Sequence, residues 1–230
     1  MKACFLDLDG TLTDSRPGLY PSFQAGLKAI GIPALSDQQL AQFLGTPLPE
    51  MFRTLKPDVS QAQIDIGIEA FRSVYESEGI SKNRLYPGVV DMLETIRDRH
   101  CAIWIVTSKP EHYAIQVVRH LALHPYVAGV VGAGLDEKDT KTSLIRRALA
   151  DAHAESKDVV MVGDRHYDIT GALENDVLPV GALWGYGSYD ELFGAGCRHF
   201  AQSPDEMQTL IVKGEFRNTG RSTTVLGHTT

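Results

Sequence analysis

What most constrains the fold of this chain is a recurrence. Five short runs rich in Val, Ile and other apolar residues, at 3–8, 101–107, 127–131, 158–163 and 177–183, are each separated by helix-patterned stretches. Near-continuous apolar runs of this length mark strands buried on both faces, since an exposed sheet would impose alternation. Strands alternating with helices predict an α/β fold, a Rossmann-like, doubly wound parallel sheet with helices on both sides. Such sheets bind ligands beyond the carboxyl ends of their strands. Asp7 and Asp9, Thr107 and Ser108, and Asp164 all fall where a run ends.

The repeat is interrupted once. Residues 15–86 carry no convincing strand, but hold amphipathic stretches at 20–30, 36–44 and 60–75. Pro17-Gly18 punctuates the entry and Tyr86-Pro87-Gly88 the exit, as in a two-strand linker between a small domain and its host. The pattern predicts an inserted α-helical domain over 15–86. The α/β core would then comprise 1–14 and 87–214, with a loosely held C-terminal tail over 215–230. Ser36 followed by Gln39 predicts a capping box at one inserted helix.

Two acids at the end of a buried strand need a chemical reason. Asp7 and Asp9 share one side of the backbone if both are extended, and an ionised Asp there costs several kcal/mol unless compensated. Gly10 permits a sharp turn that would bring Thr11 and nearby amides toward the same spot. A second acidic cluster, Gly163-Asp164-Arg165-His166-Tyr167-Asp168, follows the fourth run. Four converging carboxylates would repel at about 4 kcal/mol per close pair at an effective dielectric of 20, and an oxygen-only set suits Mg²⁺. Lys141 opens a helix, where the dipole disfavours a cation, so it points to an anionic partner. Thr107-Ser108 offers a hydroxyl and amides suited to a phosphate, or to an ordinary turn.

A net charge of −7 over 230 residues weighs against nucleic acid polymers and anionic membranes, and no apolar stretch approaches a membrane span. A cytoplasmic protein acting on a small molecule, as monomer or homodimer, is expected. Cys4, Cys101 and Cys197 stand singly with no CxxC pair, which argues against zinc and a disulfide framework; Cys4 and Cys101 read as buried small hydrophobes.

Together these residues resemble the haloacid dehalogenase superfamily of aspartate-nucleophile hydrolases, specifically its phosphatases with an inserted α-helical cap domain, which implies 15–86 as the cap and 1–14 with 87–214 as the catalytic core. Asp7-Leu8-Asp9-Gly10-Thr11-Leu12 is similar to the first family motif, Thr107 to the second, Lys141 to the third, and Gly163-Asp164 with Asp168 to the fourth. The likeness covers nearly all of the chain except the tail. Thr107-Ser108-Lys109-Pro110 and Leu183-Trp184-Gly185-Tyr186-Gly187-Ser188 resemble the phosphoglycolate phosphatase-like and nucleotidase-like branch.

The resemblance implies Asp7 as nucleophile, forming an aspartyl-phosphate, and Asp9 as general acid and base. It implies Mg²⁺ held by Asp7, the Asp9 carbonyl and Asp164, with Asp168 acting through water or orienting the shell. Thr107 and Lys141 would bind the phosphoryl oxygens, and Gly10, Thr11, Ser108, Lys109 and the cap residue Gly45 would complete a substrate site. Arg53, Lys56, Lys82 and Arg84 are candidates for an anionic substrate tail, and His166 and Tyr186 for the rim.

Asp9 favours phosphoester hydrolysis over dehalogenation. Gln42 stands where phosphonate-cleaving relatives carry a Schiff-base Lys, and Leu48 where β-phosphoglucomutases carry Arg, so a mutase is disfavoured. The substrate expected is a small phosphorylated metabolite, phosphoglycolate-like, with nucleoside monophosphates, pyrophosphate or a sugar phosphate as alternatives. A phospho-accepting receiver module is the reading from another class. It fits poorly with the long insertion.

Overall fold

The structure is a computed structural model that describes residues 1–135 and 138–214, so the tail read at 215–230 lies outside the described residues. In chain order the elements are β1 (Ala3–Leu6), β2 (Thr13–Asp14), α1 (Arg16–Ala29), α2 (Asp37–Ala41), α3 (Leu48–Leu55) and α4 (Gln61–Val74). A wider turn over Tyr75–Gly79 and a short one over Ile80–Lys82 lead to β3 (Arg84–Leu85) and α5 (Val89–Asp98). Then come β4 (Ala102–Pro110), α6 (Glu111–His120), β5 (Gly129–Ala133), α7 (Lys141–Asp151) and β6 (Val159–Gly163). The chain continues through α8 (His166–Leu173), β7 (Leu178–Ala182), α9 (Tyr189–Gly194), β8 (Phe200–Ala201) and α10 (Pro204–Lys213).

The main sheet runs in the order β5-β4-β1-β6-β7-β8, and every pair in it is parallel. The period of two along each strand divides the core. Cys4 and Leu6 of β1 join Ile103, Ile105, Val160 and Val162 beneath α5, α6 and α10, whereas Ala3 and Phe5 join Val159 and Met161 beneath α7 and α8. All four β1 side chains are therefore fully covered, which is why this strand reads as unbroken apolar sequence. From β1 the chain builds outward through β4 and β5, then crosses back to β6 on the other side of β1. The order thus switches at β1, and the crevice beyond its carboxyl end is where such a sheet binds its ligand.

The helices α1 to α4 lie between β2 and β3, which pair antiparallel as Thr13 with Leu85 and Asp14 with Arg84. Arg84–Leu85 is a strand inside a stretch that reads as strand-free. Two residues are too few to carry periodicity, and the same holds for β8. The helices bury their own cluster, including Phe23, Leu27, Phe52 and Phe71, and Tyr113 of α6 joins it from the core side. Ser36 and Gln39 form the capping box, and Ser60 with Gln63 form another. All three cysteines are free and buried. Among the described residues no helix is long and apolar enough to cross a membrane.

Candidate active site

The site is assembled where β1, β4 and β6 end side by side. The Asp7 amide donates to Val162 O at 3.0 Å, which carries the sheet register one residue past β1 and fixes the nucleophile candidate next to β6. Gly10 then turns with φ of 90°, and a Cβ there would lie 2.2 Å from Asp164 Oδ2. The turn is thus cut to admit a carboxylate from the neighbouring strand. Thr11 donates its hydroxyl to Asp164 Oδ1 at 2.9 Å and the Tyr186 amide donates to Asp164 Oδ2 at 2.8 Å, so this fully buried acid is held from both sides.

Asp168, on the first turn of α8, accepts from the Arg165 amide at 3.0 Å. Lys141 reaches across from the start of α7. Its ammonium donates to Asp7 Oδ1 at 2.8 Å and to Val106 O at 2.9 Å, and lies 2.7 Å from Asp168 Oδ1. That last contact is a buried ion pair, so Asp7 and Asp168 share a single ammonium. One carboxylate oxygen from each of Asp7, Asp164 and Asp168 falls within 4.8 Å of the others. Three buried acids balanced by one lysine form a hard, oxygen-only donor set that fits Mg²⁺.

Residues 4–181 match the family model described as haloacid dehalogenase-like hydrolase. This chain belongs to the haloacid dehalogenase-like hydrolases. It is 34% identical over 187 residues to a 5'-nucleotidase of Pseudomonas aeruginosa, covering 81% of this chain and 84% of that one. It is 25% identical over 219 residues to a phosphoglycolate phosphatase of Vibrio parahaemolyticus, covering 92% and 96%. Among solved structures it is similar to a predicted phosphatase from Clostridium acetobutylicum, with a TM-score of 0.86, 33% identity, and coverage of 92% and 98%. The fold is that of this hydrolase family, helical insertion included.

Electrostatics in this hydrolase site follow from burial. Loss of water pushes the Asp7 carboxyl up to about 6; Lys141 pulls it down, and Asp168 adds to the rise. Burial, then Asp7 and Asp168, raise Asp164 well above the usual carboxylate range. For Lys141 burial works against the charge, but Asp168 and Asp7 overrule it and hold the ammonium above the ordinary lysine value. The cluster is a set of acids short of positive charge, with one lysine already spent on it.

Asp9 faces away from that cluster. Its carboxylate pairs with the Lys109 ammonium and lies 3.4 Å from the Thr13 hydroxyl. Asp9 is expected at the metal through its backbone carbonyl, and its carboxylate is not among the three that converge. Lys109 is buried, sits 4.9 Å from the centre of the Tyr75 ring, and donates its amide to Thr107 Oγ1 at 3.3 Å. A register shift between Thr107 and Pro110 in the β4–β5 pairing aims these side chains inward.

A pocket of about 60 Å³ is lined by Asp7, Asp9, Thr107, Ser108, Lys141 and Asp168, with Gly45 and Tyr186 closing it. Gly10 and Thr11 do not line it. Gly10 turns against the Asp164 carboxylate and Thr11 donates its hydroxyl to it. Arg53, Lys56, Lys82 and Arg84 line neither this pocket nor the larger space beside it. Lys56 donates instead to Ile30 O at 3.3 Å and Lys82 pairs with Glu78 at 2.7 Å, so these charges serve the helical unit. His166 turns to Glu191, at 2.9 Å, rather than to the site.

Three participants escaped the sequence reading. Tyr75 backs Lys109 from the helical insertion, Arg165 donates to both Leu44 O and Glu191 Oε1, the latter at 2.9 Å, and Tyr113 donates to Glu76 at 2.6 Å. Arg165 alone carried a signal, through its place between Asp164 and Asp168. The other two depend on how the insertion docks, which no local pattern encodes.

Proposed function

We propose that this hydrolase is a Mg²⁺-dependent phosphatase that cleaves a small phosphomonoester through an aspartyl-phosphate on Asp7. The observation that carries the reading is the division of labour between the two aspartates. Asp7 is locked by Lys141 among the buried acids, while Asp9, two residues on, faces the open side of the same pocket. Asp7, Asp164 and Asp168 would hold the metal, with the Asp9 carbonyl as a further oxygen. Bound there, Mg²⁺ would neutralise the cluster and screen the nucleophile from a phosphate dianion.

The protein's own groups do the rest. Lys141 occupies Asp7 Oδ1 and leaves the other oxygen for in-line attack on phosphorus. As the P–O ester bond breaks, Asp9 gives its proton to the leaving alkoxide. It then takes a proton from the water that attacks phosphorus and releases Asp7. The Lys109 ammonium, paired with Asp9 in the wall of the pocket, is within reach of an incoming phosphoryl group. Thr107 and Ser108 present a hydroxyl and amides to the phosphoryl oxygens. Residues 15–86 act as a cap that closes the pocket and excludes water.

The direct test is phosphate release from p-nitrophenyl phosphate. Activity should require Mg²⁺, vanish in EDTA and return on adding Mg²⁺, and D164N should need far more metal to reach half-maximal rate. Full activity of the metal-stripped protein would refute the reading.

A further inference from the structure

Beyond the phosphoryl pocket lies a second space of about 320 Å³, sharing Asp9, Ser108, Lys109 and Lys141 in its walls. That size falls at the lower end of small-molecule clefts, about 300–1,000 Å³, and greatly exceeds a two-carbon leaving group. Its far wall is a run of rings from the helical unit and α6. Phe23 and Phe71 lie 5.3 Å apart, Phe71 stacks on Tyr75 at 5.7 Å, and Tyr75 meets Tyr113 edge-on at 5.5 Å.

The buried charges in these walls are engaged. Lys109 pairs with Asp9, Lys141 with Asp7 and Asp168, and Arg72 donates to Leu135 O at 2.6 Å. Lys138 is exposed on the rim beside Asp139, and Glu50 adds a further acid to the wall. A leaving group bearing a carboxylate would meet chiefly apolar rings in the interior of the chamber, where Lys109 and Lys141 are already paired with acids and the other cations, Arg72 and Lys138, lie toward the rim. A flat uncharged ring meets matching surface, since aromatic side chains favour stacked and edge-on partners. Thr46 and Ser108 offer polar contacts at its edge.

We infer that the chamber selects phosphomonoesters of a ring-bearing, uncharged alcohol, of which a nucleoside is the fitting class, over short anionic esters such as 2-phosphoglycolate. This rests on the phosphatase reading and specifies its leaving group.

The experiment compares kcat/KM of the full chain with Mg²⁺ for adenosine 5'-monophosphate, 2-phosphoglycolate and glycerol 3-phosphate, which present a ring, a small anion and a small neutral group. The ring ester should lead both others by about tenfold or more. Half-buried Thr46 gives a second arm, because T46W fills the chamber with a side chain and should cut the ratio of adenosine 5'-monophosphate to glycerol 3-phosphate by about tenfold. Equal or greater efficiency on 2-phosphoglycolate, or an unmoved ratio in T46W, overturns the inference and leaves the phosphatase reading standing. If none of the three esters nor p-nitrophenyl phosphate is hydrolysed, both fall together.

Discussion

Asp7 holds a charge where water is nearly absent, and the cost is visible in its titration. Its carboxyl is pushed up to about 6 by burial, above an ordinary value of 3.8, so the folded metal-free protein binds this proton more tightly than the unfolded chain does. The contribution to stability is therefore complete below pH 4 and is lost as pH rises through 6. D7N removes the ionisation while keeping the shape. In EDTA its Tm relative to wild type should climb by a few degrees between pH 4 and pH 7. A difference that stays flat across that range, followed by calorimetry, would show that Asp7 is not paying for its burial. Lys141 and Asp9 were legible as residues of chemistry from their positions after or before strands. Their partners were not: that Lys141 serves Asp7 and Asp168, or that Lys109 serves Asp9, is decided by crossings between elements, with Lys141 lying 134 positions from Asp7 and Lys109 lying 100 from Asp9.

At the scale of elements, the turn after β1 is the part most tightly cut to its neighbour. In G10A the new methyl would have to displace Asp164, 2.2 Å away, while the backbone keeps a φ of 90°. Denaturant unfolding should register a loss of about 3 kcal/mol or more, with weakened Mg²⁺ affinity. Gly31 supplies the contrast, because it shares a positive φ of 74° but has open space around its Cα. G31A should cost only about 1 kcal/mol, and an equal loss in both would assign the Gly10 effect to backbone conformation alone. The sheet itself was readable because five strands are buried on both faces and carry no alternation. The two-residue strands β2, β3 and β8 were unreadable for the opposite reason, since they take their pairing from position and have no pattern of their own.

Across the whole molecule, the helical insertion is joined to the core by a few directed contacts around the pocket. Arg165 ties Leu44 O, beside Gly45, to Glu191, and the Ser15 amide donates to the Tyr186 hydroxyl at 2.9 Å. R165A should raise KM about tenfold with a smaller change in kcat, and R165K, retaining one donor, should recover part of it. Equal loss in kcat alone would instead make Arg165 a partner of the chemistry. The insertion was evident in the sequence as a break in the strand repeat. Its docking was hidden, because Tyr75 with Tyr113, and Arg165 with Leu44 O, are contacts between the insertion and the core that no local pattern encodes. The central claim remains that one aspartate carries the phosphoryl group. Rapid acid quench of the enzyme turning over a ³²P-labelled phosphomonoester, followed by peptide mapping, tests it most directly. A hydroxylamine-labile label is expected on the peptide containing Asp7, and none in D7N. A label on another residue, or wild-type turnover by D7N, would contradict it.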